Sequence, residues 1–157
     1  MLGPDELAKY MRENGIEGEI IRLGPSSAKT SSSAAKAVGC DVAQIAKSIV
    51  LKGGESYYVV VLSGDRKIDI GRASAFLNEE TRLARAGEIL EQTGYPVGGV
   101  PPFGHANPLK ILVDKSLLRF EEVYSSGGSE DTLLRIKVRE LVRAAEACGG
   151  CVVDFSV

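Results

Sequence analysis

Short apolar runs and helix-like segments follow one another irregularly along this chain, and that pattern predicts a mixed α+β fold, a mixed sheet wrapped by helices. Three observations carry the prediction. Roughly eight runs read as strands and roughly five segments as helices. They keep no steady strand–helix rhythm, which argues against a doubly wound nucleotide-binding fold. The two strongest strand runs are almost continuously apolar, so both of their faces are covered.

The elements follow in order. Pro4 opens a helix with Leu7, Tyr10 and Met11 on one face and Gly15 past its end. Gly18 to Leu23 reads as a first strand. Thr30 or Ser31 caps a short helix that runs to Val38 and stops at Gly39, and Asp41 caps a further short turn. The runs "KSIVLK" and "YYVVVLS" flank "GGES" and form a hairpin with a glycine turn. Asp69 caps a helix through Leu77, "TRLAR" is a short strand, and "AGEILEQT" is a helix closed by Gly94. "KILVD", "FEEVYS" and "TLLRIKV" are strands, the last two joined by "SGGSED". Val138 to Ala147 is a helix with Leu141, Val142 and Ala145 inward, and "CVVDFSV" is a final strand. No linker, repeat or low-complexity block interrupts this, so residues 1–157 read as a single domain.

Composition narrows the function. The chain is 44% hydrophobic and 25% charged, ordinary for a globular domain. No apolar run reaches membrane-spanning length, and the first residues lack the apolar core of a signal peptide, which points to the cytosol and to no membrane partner. Three cysteines, an odd number, fit a reducing compartment. A net charge of −2 exerts no global pull on nucleic acid, so any such partner needs a local patch, for which Arg66, Lys67, Arg72, Arg82 and Arg85 are the candidates.

Several chemistries are excluded. There is no Walker loop and no GxGxxG after a strand. Cys148 and Cys151 form a lone CxxC without the four ligands of a zinc site. The first of them ends a helix, where the dipole disfavours a thiolate, so structural cysteines are the expectation and a redox pair the rival. His105 is the single histidine and no nucleophile elbow accompanies it, so an incidental role outweighs a catalytic one. The residue census supplies no metal site and calls for no cofactor.

Three features remain. Gly94 to His105, "GYPVGGVPPFGH", holds four glycines and three prolines: glycine lets backbone come close to something, and proline stiffens the chain that does so. Lys47 stands at the start of an apolar strand, where it either snorkels out of the sheet end or reaches into a cleft as a clamp for a carbonyl or phosphate. The glycines of "YSSGGSED" either make a hairpin turn or, with the Ser126 hydroxyl, turn N–H groups toward an anionic group. Spacing alone leaves both pairs of readings open.

In combination, "IAKSIVLK", "TGYPVGGVPPFG" and "SSGGS" before a strand resemble the YbaK / prolyl-tRNA synthetase-associated editing domain family. The order and spacing match from about Ser31 to Val153. The GxxxPFG loop, here Gly98 to Gly104, is the most specific piece, and "DRKIDI" resembles the family's segment before its middle helix. The resemblance implies a compact mixed, partly closed sheet ringed by helices. It implies hydrolysis of the ester that joins a wrong amino acid to tRNA, in trans, with alanine and cysteine on proline tRNA the best-known cases. It also implies a site. Lys47 matches the family lysine; Gly98 and Gly99 fall at the loop glycines, which Pro101 and Pro102 stiffen beside Phe103. Ser126, Gly127 and Gly128 match the second glycine loop. Ser48 replaces the threonine often seen after the lysine, and Thr30 and Ser31 lie where the family often places a pocket hydroxyl. The two glycine loops are then expected to face each other across one cleft, with Lys47 between them. The implied partners are the 3′ end of aminoacyl-tRNA and a synthetase, the protein acting as monomer or homodimer. Two other functions share these features: a non-catalytic module that binds an aminoacyl or nucleotide end, and a small-ester hydrolase unrelated to translation.

Overall fold

The computed structural model describes residues 1–157. Helix α1 (Pro4–Glu13) leads to strand β1 (Glu19–Arg22) and helix α2 (Ser31–Val38). A 3-10 turn (Val42–Gln44) enters strand β2 (Ile45–Gly53), which turns through Gly54 and Glu55 into β3 (Ser56–Ser63). Then come α3 (Ile70–Leu77), β4 (Thr81–Leu83), α4 (Ala86–Thr93), β5 (Lys110–Asp114), a second 3-10 turn (Lys115–Arg119), β6 (Glu122–Ser126), β7 (Thr132–Lys137), α5 (Val138–Ala147) and β8 (Val152–Val153). No helix is long and apolar enough to cross a membrane.

The caps expected from the sequence hold the helix starts. Thr30 Oγ1 accepts from the Ser33 amide at 3.1 Å, Asp41 Oδ1 from Ala43 at 2.8 Å, and Asp69 Oδ1 from Arg72 at 3.2 Å. Gly39 and Gly94 close α2 and α4 in the left-handed conformation.

All eight strands join one sheet, in the order β1-β7-β6-β2-β3-β5-β8, with β4 added to β2 outside that path. Pairs β2·β6, β3·β5 and β5·β8 are parallel; the others are antiparallel. The main core packs Leu7 and Met11 of α1 and Leu141, Ala144 and Ala145 of α5 against Val59, Val61, Ile111 and Val113. A second core lies under α3, around Val60, Leu112 and Phe155, so β3 is covered on both faces as its continuous apolar run requires. Each fully buried aliphatic side chain there contributes about 1.5–3 kcal/mol.

Two local expectations change. The final strand shrinks to Val152–Val153, because the buried Asp114 carboxylate accepts from the Phe155 amide and the Ser156 hydroxyl and so draws the chain off the ladder. Residues Lys115–Arg119, unassigned from the sequence, form a 3-10 turn whose start the same Asp114 caps through the Ser116 amide.

Candidate active site

Strand β2 is paired along its whole length with β3 on one edge. On the other edge its partners change. Strand β6 covers Ile45 and Ala46, strand β4 covers Leu51 to Gly53, and the Ala84 amide donates to the Val50 carbonyl at 2.9 Å. Between them the edge at Lys47, Ser48 and Ile49 has no strand beside it. A cavity of about 400 Å³ opens at that gap. Its walls come from β2, the ends of β4 and β6, the segment leading into α2, α4 and the proline-rich loop, and they are mostly apolar. Leu83 and Val97 stand at its wall while 57% and 55% exposed, a bare aliphatic rim.

The proline-rich loop is held from beneath. Tyr95 and Phe103 are fully buried, and Phe103 stacks on Tyr10 with ring centroids 5.8 Å apart. His105 Nε2–H donates to the Pro101 carbonyl at 2.8 Å, and burial holds its imidazole down to about 4 against the opposing pull of that bond. The lone histidine is thus a neutral clasp of the loop.

Lys47 is half-buried on the cavity wall and forms no ion pair. Burial lowers its pKa; the charge of Asp65 works against that and Lys67 adds to it. No Asp or Glu lines the cavity. Asp65 itself is engaged by Arg119, whose Nη2 lies 2.9 Å and Nη1 3.4 Å from its two oxygens.

Of the residues the sequence singled out, Lys47, Ser48, Gly98, Thr30, Ser31 and Ser126 meet at this one cavity. Gly99, Pro101, Pro102, Phe103, Gly127 and Gly128 do not line it. Pro101, Pro102 and Phe103 are buried as the loop's underside. The amides of the second glycine loop are spent internally, Gly127 donating to the Thr132 carbonyl and Gly128 to Ser126 Oγ. The Gly99 amide donates to the Pro96 carbonyl at 2.9 Å, whereas the Gly98 and Val100 amides donate to no protein group. The loops also touch directly instead of facing each other across open space: a Cβ on Gly99 would stand 3.2 Å from Ser129 Cα. Sequence reasoning missed Leu83, Ala84 and Ile89, which carry no signal beyond being apolar. The basic patch is largely neutralised, with Arg72 paired to Asp69 and Asp154, Arg82 to Glu88, and Arg66 to Asp65. No three His, Cys, Asp or Glu side chains come together as a metal-ligand set.

Comparison with known proteins gives four results. Residues 25–144 match the aminoacyl-tRNA editing domain family. An uncharacterized protein of Bacillus subtilis, YwhH, is 35% identical over 126 residues, 80% of each chain. Proline–tRNA ligase of Thermosipho melanesiensis is 28% identical over 141 residues, 87% of this chain but 25% of the ligase. Among solved structures, a candidate trans-editing enzyme for prolyl tRNA synthetase superposes with a TM-score of 0.91 at 33% identity, covering 98% of this chain and 96% of the other.

Proposed function

The chain belongs to the aminoacyl-tRNA editing domain family, and from that premise we propose that it is a trans-acting deacylase that hydrolyses the ester of mischarged tRNA, within a single domain. Its relation to proline–tRNA ligase and to a candidate trans-editing enzyme supports an editing role tied to prolyl-tRNA synthesis, with alanine or cysteine on proline tRNA as the substrates to test first.

One observation carries the reading: an unpaired lysine and the free Gly98 amide share an apolar cavity that holds no carboxylate. An aminoacyl ester is already reactive, so a strong nucleophile is not required. Water attacks the acyl carbon. The Lys47 ammonium and the Gly98 amide stabilise the oxyanion that develops, with little reorganisation because the loop is already fixed. The bond from acyl carbon to ribose oxygen then breaks, and the proton lost by the water passes to that oxygen, with the vicinal ribose hydroxyl as relay. Free amino acid and tRNA leave.

The test is a panel of mischarged tRNAs. Release of alanine or cysteine from proline tRNA, with an affinity that falls steeply as salt rises, supports the reading. Equal hydrolysis of simple amino acid esters, insensitive to salt, replaces it with a general esterase. Tight binding without turnover replaces it with a binding module.

A further inference from the structure

The gap in the edge of β2 carries a second consequence. In an antiparallel strand the N–H and C=O of one residue point to the same side, and successive residues alternate. The Ile45 carbonyl accepts from the Gly64 amide at 2.7 Å, on the β3 side; the Val50 carbonyl accepts from Ala84, on the β4 side. Ser48 shares the parity of Val50, so its N–H and C=O point away from β3 and into the gap. Strand β6 stops pairing at Ala46 and β4 begins at Leu51. Ser48 makes no backbone hydrogen bond outside the ladders, and its side-chain Oγ is buried without a partner. Three polar groups of one residue are therefore left unmatched at the wall of an apolar cavity. Such groups cost free energy unless water or a ligand meets them.

An aminoacyl ester offers the complement. From one residue it presents an α-amino donor and a carbonyl acceptor, the two groups by which a residue in a hydrogen-bonded antiparallel pair meets its opposite number. The cavity supplies no Asp or Glu for the amino group, so a main-chain carbonyl is the acceptor at hand. Resting on the deacylase reading, we infer that the aminoacyl group docks as a one-residue strand on the open edge of β2, its α-amino group donating to the Ser48 carbonyl and its acyl oxygen accepting from the Ser48 amide. The site then selects for the α-amino acid unit itself, through main-chain atoms that every substitution except proline leaves in place. The amide adds a donor to the oxyanion when water attacks.

Amide hydrogen exchange by NMR tests this with 3′-(L-alanylamino)-3′-deoxyadenosine, whose amide link resists hydrolysis. The Ser48 amide exchanges freely in the unliganded protein and slows at least tenfold at saturation. The 3′-propionylamino counterpart, which lacks the α-amino group, binds about tenfold more weakly. Ser48→Pro removes the N–H without breaking a ladder bond, so it keeps its thermal melt and loses the slowing and at least tenfold in affinity; Ser48→Ala keeps the ligand-dependent protection. A response of the Gly98 and Ser126 amides without Ser48 overturns the docking edge and leaves the deacylase reading standing. No response at any of the three overturns both. A Ser48 amide already slow in the free protein, or a folded Ser48→Pro protein with unchanged affinity, overturns the edge alone.

Discussion

The backbone of Gly99 rests on that of Gly128: a Cβ added to Gly99 would stand 3.4 Å from the Gly128 carbonyl oxygen. The two glycine loops are thus one packed unit, and a branched side chain at position 99 must separate them. Gly99→Val is expected to cost about 1–3 kcal/mol of stability. Deacylation measured well below the melting temperature falls as well, since Gly98 and Ser126 move apart. An unchanged melt would mean that the contact yields freely.

Lys47→Ala is expected to cut deacylation roughly a hundredfold or more, as when an oxyanion stabiliser is lost. The fold survives, because no apolar core atom is removed. Lys47→Arg keeps the charge but changes its shape, and a tight site rejects it. In the proposed mechanism the ammonium is the active form, and burial lowers its pKa, so activity is expected to decline on the alkaline side before an ordinary lysine would titrate. Full activity of a folded Lys47→Ala protein defeats the mechanism and leaves the family as evidence of fold.

Arg119 holds Asp65 in a forked ion pair, and Asp65 is the carboxylate whose charge acts on Lys47. Arg119→Ala frees that carboxylate to swing toward the ammonium. The expected result is a several-fold loss of kcat with a pH profile shifted to higher pH. Adding Asp65→Ala restores the rate and carries the alkaline limb back to or below its wild-type position, since the charge that raised the Lys47 pKa is gone. If the double variant is as slow as the single one, Arg119 acts only through the fold.

His105 makes stability depend on pH. Its pKa is about 4 in the folded protein and about 6.5 unfolded. Between these values the unfolded chain binds the extra proton, so the contribution is complete above about pH 6.5 and is lost as pH falls toward 4. Its full size is about 3 kcal/mol. Urea melts of wild type and His105→Gln across that window check this: the variant loses the slope assigned to the imidazole.

The sequence made the elements legible wherever a cap or a glycine stop bounded an apolar period, as at Thr30 and Gly39 or Asp69. It could not reveal the turn at Lys115–Arg119, which is shorter than two helical periods and is anchored by a carboxylate from the preceding strand. Lys47, Gly98 and Ser126 were visible because polar or glycine residues interrupt apolar runs. Leu83, Ala84 and Ile89 were not, since a cavity wall and a core face use the same side chains. Phe103 sits in the most recognisable motif yet is core, its ring supporting the loop from below. The open stretch of β2 depends on where two distant strands stop pairing, which no local pattern encodes.

That sheet order also has a kinetic side. Strand β1 finds its only partner in β7, and β2 meets β6, so pairs that complete the sheet join segments from opposite halves of the chain. Such closures lose much chain entropy before any contact repays it, and they slow folding to a scale on the order of milliseconds to seconds. The β2–β3 hairpin, whose strands are joined by only two residues, is the piece that can form early and template the rest. The cavity, walled by β2, β4, β6 and α4 together, is then among the last features to exist, so a partly folded chain holds Lys47 without the chamber around it.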